Sequence, residues 1–326
     1  MKKKVKRTVK RFLLSTTWII DIIISPFVAG SALLLKLIRK VEIKYFPLSK
    51  KVLLNIGVFP ILDHYYEPLF NPNHLKRPLS DERVLLGIDW NINGQLALLK
   101  AFHYQHEFDN IPDEFVSDTV FHFKNGLFNS GDAEYWYNII RLKKPKRIIE
   151  IGSGNSTKIA RLAIDMNKKL DATYQCKHIC IEPYQMPWLE KIDVEVLREK
   201  VENMNIIFFE QLEANDILFI DSSHIIRPQG DVLTEYLGLL PMLKSGVIIH
   251  IHDIFSPRDY LKEWIIDGVC FWNEQYLLEA FLSFNSEWKI IGALNFLKHN
   301  HYELLKEKCP RLTPDREPGS FYIVKS

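Results

Sequence analysis

Three arrangements of hydrophobic and polar residues succeed one another along the 326-residue chain. The first is the run FLLSTTWIIDIIISPFVAGSALLL, from Phe12 to Leu35, interrupted only by the charge of Asp21 and by Pro26. It has enough residues to cross a hydrocarbon core of about 30 Å. The second, from about Tyr45 to Ser130, mixes aromatics, prolines, asparagines and histidines with no sustained period. One helix stands out there, Gly94 to Phe102, with apolar residues at 96, 98, 99 and 102. After Gly131 short apolar runs alternate with amphipathic ones. They predict strands over Arg147–Ile151, His178–Ile181, Ile206–Phe209, Ile217–Ile220, Val247–Ile251, Trp288–Gly292 and Phe321–Val324. Helices fit at Ala133–Leu142, Ser156–Lys168, Pro187–Lys200, Asp231–Leu243 and Asn273–Ser283. Such alternation marks a doubly wound α/β fold on a mostly parallel sheet.

The chain therefore divides into a basic arm plus apolar segment (1–44), a cap that supplies part of a substrate wall (45–130) and a catalytic domain (131–326). Composition adds little, since 47% hydrophobic and 25% charged residues are ordinary for a globular protein. Charge adds more. The net +2 conceals Lys2, Lys3, Lys4, Lys6, Arg7, Lys10 and Arg11, with no acid among them, and a nearly neutral remainder. That distribution gives no case for nucleic acid and suits an anionic lipid surface. Lys36, Arg39, Lys40 and Lys44 follow the apolar run, so both flanks are basic. A re-entrant or interfacial helix broken at Ser25-Pro26 keeps both flanks on the cytoplasmic face of the membrane. A single span, a cleaved signal peptide ending near Ala29-Gly30-Ser31-Ala32 and a buried soluble helix are the other readings.

Cysteines at 176, 180, 270 and 309 make no disulfide scaffold, which fits a reducing compartment. Cys176-x-His178-x-Cys180 lacks the usual zinc spacing and a second ligand pair, and reads as a buried strand.

The chemistry begins at the first strand, which runs into Glu150-Ile-Gly-Ser-Gly-Asn-Ser-Thr157. Gly152 and Gly154 allow a tight turn and close approach of a ligand around Ser153, and Ser156 or Thr157 can cap the next helix. The free N–H groups and positive dipole end of that helix would face a ligand carboxylate or phosphate. A dinucleotide fingerprint needs glycine at 157, where Thr157 stands, and Glu150 suits a cofactor that brings an ammonium. Glu182, ending the second strand, can accept the protons of both ribose hydroxyls.

The fourth strand runs into Asp221-Ser-Ser-His224 and the fifth carries His250-Ile-His252-Asp253. Carboxylates and an imidazole from adjacent strand ends can converge on one divalent ion, magnesium by the hardness of its oxygens or manganese by the imidazole. Together these motifs resemble the class I S-adenosylmethionine-dependent methyltransferases, over Gly131 to Ser326. Within that family they are similar to the bacterial branch of macrolide-sugar and cephamycin-biosynthesis O-methyltransferases. The resemblance implies a seven-stranded sheet whose antiparallel last strand is Phe321–Val324. It also implies Glu150, Gly152 and Gly154 around the methionine part, Glu182 on the ribose, and Asp221, His252 and Asp253 on the metal. His252 departs from the acid or amide usual at its position.

His224, three residues after Asp221, is the expected base, because an imidazole titrates near neutral pH. The expected activity is metal-assisted O-methylation of a hydroxylated small molecule, plausibly a sugar or glycolipid. Arg258, Trp272 and Gln275 are candidate acceptor contacts in the lid after strand five, and His250 is supporting or core. The competing classes are a nicotinamide-dependent oxidoreductase and a non-catalytic membrane-associated scaffold. An iron oxygenase built on His250, His252 and Asp253 fits α/β alternation poorly.

Overall fold

A computed structural model describes residues 2–326, with side chains from Thr17 onward, so the side chains of the seven basic residues in the arm lie outside what is described. The chain forms two compact units, Met1–Lys76 and Arg77–Ser326.

In the first unit, helix α1 runs without a break over Lys2–Lys40 and continues through Pro26. Proline cannot donate to the carbonyl four residues earlier, which is that of Ile22. The Ser25 hydroxyl donates to that carbonyl instead, at 3.1 Å. The expected break at Ser25-Pro26 is therefore absent. Thr17–Lys40 is long and apolar enough to cross a membrane, and Trp18, Phe27 and Leu33 are more than 60% exposed along it. A short helix, α2 (Pro47–Ile56), follows and stops at Gly57, whose φ of +80° favours a residue without Cβ.

The second unit is built on seven strands: β1 (Arg147–Ile151), β2 (Lys177–Ile181), β3 (Glu195–Leu197), β4 (Ile217–Ile220), β5 (Ile248–Ile251), β6 (Trp288–Ala293) and β7 (Phe321–Lys325). Their spatial order is β3-β2-β1-β4-β5-β7-β6. Pairing is parallel from β3 to β5, and β7 runs antiparallel to both β5 and β6. Because alternate residues of a strand face opposite sides, Ile148 and Phe219 bury against one helical layer, and Ile149, Ile151, Leu218 and Ile220 against the other. The first layer contains α3 (Ile92–Lys100), α4 (Asp132–Lys143) and α5 (Asn155–Leu170). The second contains α6 (Asp231–Leu233), a π-helical stretch (Thr234–Leu239), α7 (Leu240–Met242) and α8 (Glu274–Leu282).

Two elements differ from expectation. Ile206–Phe209 is not a strand but part of a 3-10 turn, Ile206–Gln211, capped by Asn205, whose side chain accepts from the Ile207 N–H at 3.0 Å. Only Phe209 of that run is buried. The third strand is instead Glu195–Leu197, inside the helix expected over Pro187–Lys200. Glu195, Val196 and Leu197 pair there with Ile179, Cys180 and Ile181. Leu99, Phe102, Phe108, Phe121, Phe123 and Phe128, from the region expected as a cap, share one core with Trp136 and Phe219. Aromatic spacing without a period had hidden core residues among loops.

Candidate active site

The turn after β1 is shaped by contact with the end of β4. Gly152 has φ +83°, and a Cβ there would lie 2.1 Å from the Asp221 carbonyl oxygen. The Asp221 N–H donates to Ile151 at 2.9 Å, fixing that approach. Gly154 has open space where a Cβ would be, so a ligand can come close to this backbone. Thr157 turns inward: its hydroxyl accepts the Gly154 N–H at 3.1 Å and donates to Glu150. Ser156 is buried and its carbonyl accepts from Trp136, so it is Thr157 that caps the helix start.

Glu150 itself is fully buried, between Thr157 and the His178 Nε2 at 3.0 Å. It braces the turn from behind and is not among the residues lining the crevice. With Cys180, Glu150 and His178 form a cluster of ligating atoms, but the carboxylate already has both partners and burial raises the thiol above its ordinary pKa. Cys176 stands outside this cluster, and all four thiols are free.

The crevice, about 200 Å³, is lined by Gly152, Glu182, Asp221, Ser222 and Ser223 among others. Glu182 accepts from the Ser153 N–H at 3.2 Å and the Tyr184 N–H at 2.8 Å, which aims its carboxylate. The Ser153 hydroxyl is buried without a partner.

Asp221, His252 and Asp253 meet beyond the ends of β4 and β5, their ligating atoms all within 4.8 Å of one another. His252 Nδ1 lies 3.3 Å from Asp253 and 3.7 Å from Asp221, facing both carboxylates without forming a hydrogen bond to either or to any other group. His224 Nε2 lies 3.4 Å from Asp221 and 3.5 Å from Asp253, and its Nδ1 is 2.8 Å from the Glu274 carboxylate. Glu274 is fully buried and also accepts from the Tyr236 hydroxyl at 3.1 Å. Both His224 and Asp253 have φ of +60°, a backbone state that costs of order 1–3 kcal/mol for such residues. Surrounding bonds hold them there: the His224 carbonyl accepts from the Asn273 and Glu274 N–H groups, and Ile254 donates to Gly319.

Electrostatics follow from this crowding. Burial raises the Asp221 carboxyl, but His252 and His224 outweigh it and hold it far below the usual range. Burial opposes charge on His252 as well, yet Asp253 and Asp221 bring its pKa to about 9. Burial likewise opposes charge on His224, and its bonds to Asp221 and Glu274 raise it well above the ordinary value. An excess of carboxylate thus holds two protons where a cation would serve as well, and the unpartnered His252 Nδ1 completes a donor set that fits a divalent ion.

A second cavity, about 350 Å³, is lined by His252, Asp253, Trp264, Arg316, Gly126 and Leu127 among others. Asp221 faces the first cavity and His252 and Asp253 the second.

A "Methyltransferase domain" family matches residues 149–254, which spans β1 through β5 and all these strand ends. An uncharacterized protein of Archaeoglobus fulgidus is 30% identical over 167 residues, covering 47% of this chain and 74% of that one. Residues 149–254 are thus a methyltransferase domain of the S-adenosylmethionine-dependent kind. Solved structures that resemble this methyltransferase include the plantazolicin methyltransferase BpumL in complex with SAH. It has a TM-score of 0.34 and 14% identity, over 72% of this chain and 95% of that one. Another is CalS11, a TDP-rhamnose 3'-O-methyltransferase of calicheamicin biosynthesis, with a TM-score of 0.32 and 12% identity, over 60% and 76%.

Within the methyltransferase domain, the expected lid contacts mostly do structural work. Gln275 bonds Phe255 and the Arg258 carbonyl, while Arg258 is held by Ser80 and Glu82. Trp272 packs on the His224 ring at 4.6 Å, and Leu261, Glu263 and Trp264 of the lid line the second cavity. His250 is a core residue, stacked 4.1 Å from Tyr322 and bonded to Ser320 at 2.9 Å. Glu274 and Tyr236 went unnoticed in the sequence; the one available signal was an acid at the first turn of a helix beside the lid.

Proposed function

We propose that this methyltransferase methylates a hydroxyl oxygen of a polyhydroxylated acceptor, a sugar or glycolipid, with His224 as base and a divalent ion at Asp221, His252 and Asp253. One observation carries the reading: Asp221 lines the donor-side crevice with Gly152 and Glu182, while His252 and Asp253, whose ligating atoms lie within 4.8 Å of it, line the other cavity, which we read as a wall between donor and acceptor. The other cavity mixes carboxylates with Arg316 and Trp264, a lining suited to hydroxyl donors and a sugar face. Gly126 and Leu127 bring the region expected as a cap into its wall.

Ser156 and Thr157 keep the helix start and turn in place behind the methionine end of the donor, Glu150 braces Thr157, and Glu182 accepts from the ribose. The acceptor oxygen attacks the methyl carbon, the C–S bond breaks with its electron pair on sulfur, and the hydroxyl proton passes to His224 Nε2. Glu274 holds Nδ1, so that the free nitrogen faces Asp221 and Asp253. A divalent ion, magnesium or manganese, supplies positive charge that lowers the pKa of a nearby hydroxyl. Alignment across the wall supplies much of the rate. The apolar α1 places the enzyme at a membrane, with its catalytic unit on the cytoplasmic face where the donor is made.

The test is label transfer from methyl-tritiated S-adenosylmethionine into cell glycolipid extracts and nucleotide sugars. Acid- and base-stable label on a sugar supports the reading. Label confined to carboxyl esters or amines would sink the O-methylation of a sugar while leaving the family intact.

A further inference from the structure

The first unit holds a site that methyl transfer does not use. At the C-terminal end of α1 a cavity of about 1090 Å³ is lined by Lys36, Arg39, Lys40, Lys44, His64 and Tyr66 among others. The acids that also border it are engaged. Glu67 pairs with Arg39, Glu42 with Lys44, and Asp63 accepts from Asn71 at 3.1 Å. Lys36 and Lys40 are exposed and have no acidic partner among the described residues. The Arg39 Nε is buried with no hydrogen-bond partner, its guanidinium lying over Phe59 at 5.1 Å. Four cations there face three carboxylates, since Asp63 keeps its charge beside a neutral amide, so the cavity carries a net charge of +1, two lysines free of ion pairs and an unused donor.

What precedes and follows it in the chain shows the kind of partner. Before it, Leu33, Leu34 and Leu37 of α1 are 71%, 59% and 57% exposed. After it come Tyr45, Tyr65 and Tyr66 at 66%, 91% and 86%. In α2, Leu48, Val52 and Ile56 recur four residues apart on one face and are 80%, 55% and 69% exposed, next to Lys50 and Lys51. An apolar helix, then lysines, then tyrosines and an amphipathic helix follow the order of hydrocarbon, phosphate and interfacial layers in a bilayer.

We infer that this cavity receives the phosphodiester headgroup of an anionic phospholipid, so that the first unit anchors by charge as well as by apolar burial. The inference rests on the membrane reading above and extends the membrane-contacting surface beyond residue 44, through α2 and the tyrosines. Lys36, Lys40 and the Arg39 Nε–H would donate to the phosphate oxygens.

The full chain and its Lys36→Glu/Lys40→Glu variant would be floated with phosphatidylcholine vesicles, and with vesicles that also contain phosphatidylglycerol. The wild type should bind the mixed vesicles about tenfold or more tightly than the neutral ones, with that excess lost at high salt. The double variant should lose most of the excess, retaining the share due to the basic arm, and keep the neutral-vesicle binding, and its affinity for S-adenosylhomocysteine should be unchanged. A Lys36→Arg/Lys40→Arg variant should retain the excess. If the Glu variant keeps the wild-type preference for phosphatidylglycerol, or the wild type shows none, the headgroup site is overturned while the membrane reading stands. If the wild type floats with neither vesicle, the membrane reading falls and the inference with it.

Discussion

His224 Nδ1 and the Glu274 carboxylate meet at 2.8 Å across fifty residues of chain, and neither has appreciable access to water. With Nδ1 engaged, the nitrogen left for chemistry is Nε2, on the side of Asp221 and Asp253. Glu274→Gln keeps the shape but offers an amide where a carboxylate stood, so the tautomer and orientation are no longer enforced. Turnover on the acceptor found by label transfer should fall about tenfold to hundredfold, within the share general bases contribute, with little change in KM. The base must be neutral to act. Losing a negative neighbour lowers the His224 pKa, so the rising limb of the pH–rate profile should move to lower pH. Glu274→Asp should restore part of the rate; an unmoved limb in the Gln variant would remove Glu274 from this role.

Gly152 and Asp221 make the second decisive contact. A methyl group at 152 would sit 2.1 Å from a backbone oxygen that cannot yield, in a left-handed conformation costing about 1–2 kcal/mol for any other residue. Gly152→Ala should therefore weaken S-adenosylhomocysteine binding by at least about tenfold. Gly154→Ala meets nothing within 4 Å in the protein, so its cost should appear in ligand affinity with no fall in melting temperature. Calorimetry and thermal unfolding of the two variants, side by side, check this.

The central strands were readable because they are buried on both faces: β1 and β4 end where the apolar runs Arg147–Ile151 and Ile217–Ile220 end. That Asp221, His252 and Asp253 come together follows from the same burial, since polar residues ending adjacent buried strands meet beyond the strand ends. β3 was hidden because Glu195 is exposed and Val196 and Leu197 are only half-buried. Glu274 and Tyr236 reach His224 only through tertiary packing, and no spacing in the chain encodes that approach. Pro26 misled in the ordinary way, because the hydroxyl that compensates it belongs to its own neighbour.

The His252 pKa of about 9 fixes how metal binding should depend on pH. A coordinating imidazole must be neutral, so below about pH 9 each ion that binds expels a proton. Affinity for manganese should rise about tenfold per pH unit from pH 6 to 8 and level off near 9. Calorimetry in buffers of different ionisation enthalpy should count about one proton released per ion. The same measurement on His252→Gln should count fewer, and an unchanged count would exclude His252 as a ligand.

Arg83 ties the segment before the sheet to the helical layer beside the lid. Its guanidinium donates to Glu279 at 2.6 Å and to the Arg258 carbonyl at 3.0 Å, and its Nε lies 3.2 Å from Asp259. The Arg83 and Glu279 side chains are only 15% and 9% exposed, so removing one partner strands a buried charge. Arg83→Leu should destabilise the fold by about 3 kcal/mol, the low end for a broken buried pair. Glu279 would keep only the Ser256 hydroxyl. Replacing both residues, Arg83→Leu with Glu279→Leu, removes the stranded charge and should recover much of that loss in urea unfolding. S-adenosylhomocysteine affinity should stay within about twofold in all three proteins, since neither residue lines the donor crevice. A double variant no more stable than Arg83→Leu would mean that packing against Tyr276, 5.1 Å from the guanidinium, and not charge pairing, holds this segment down.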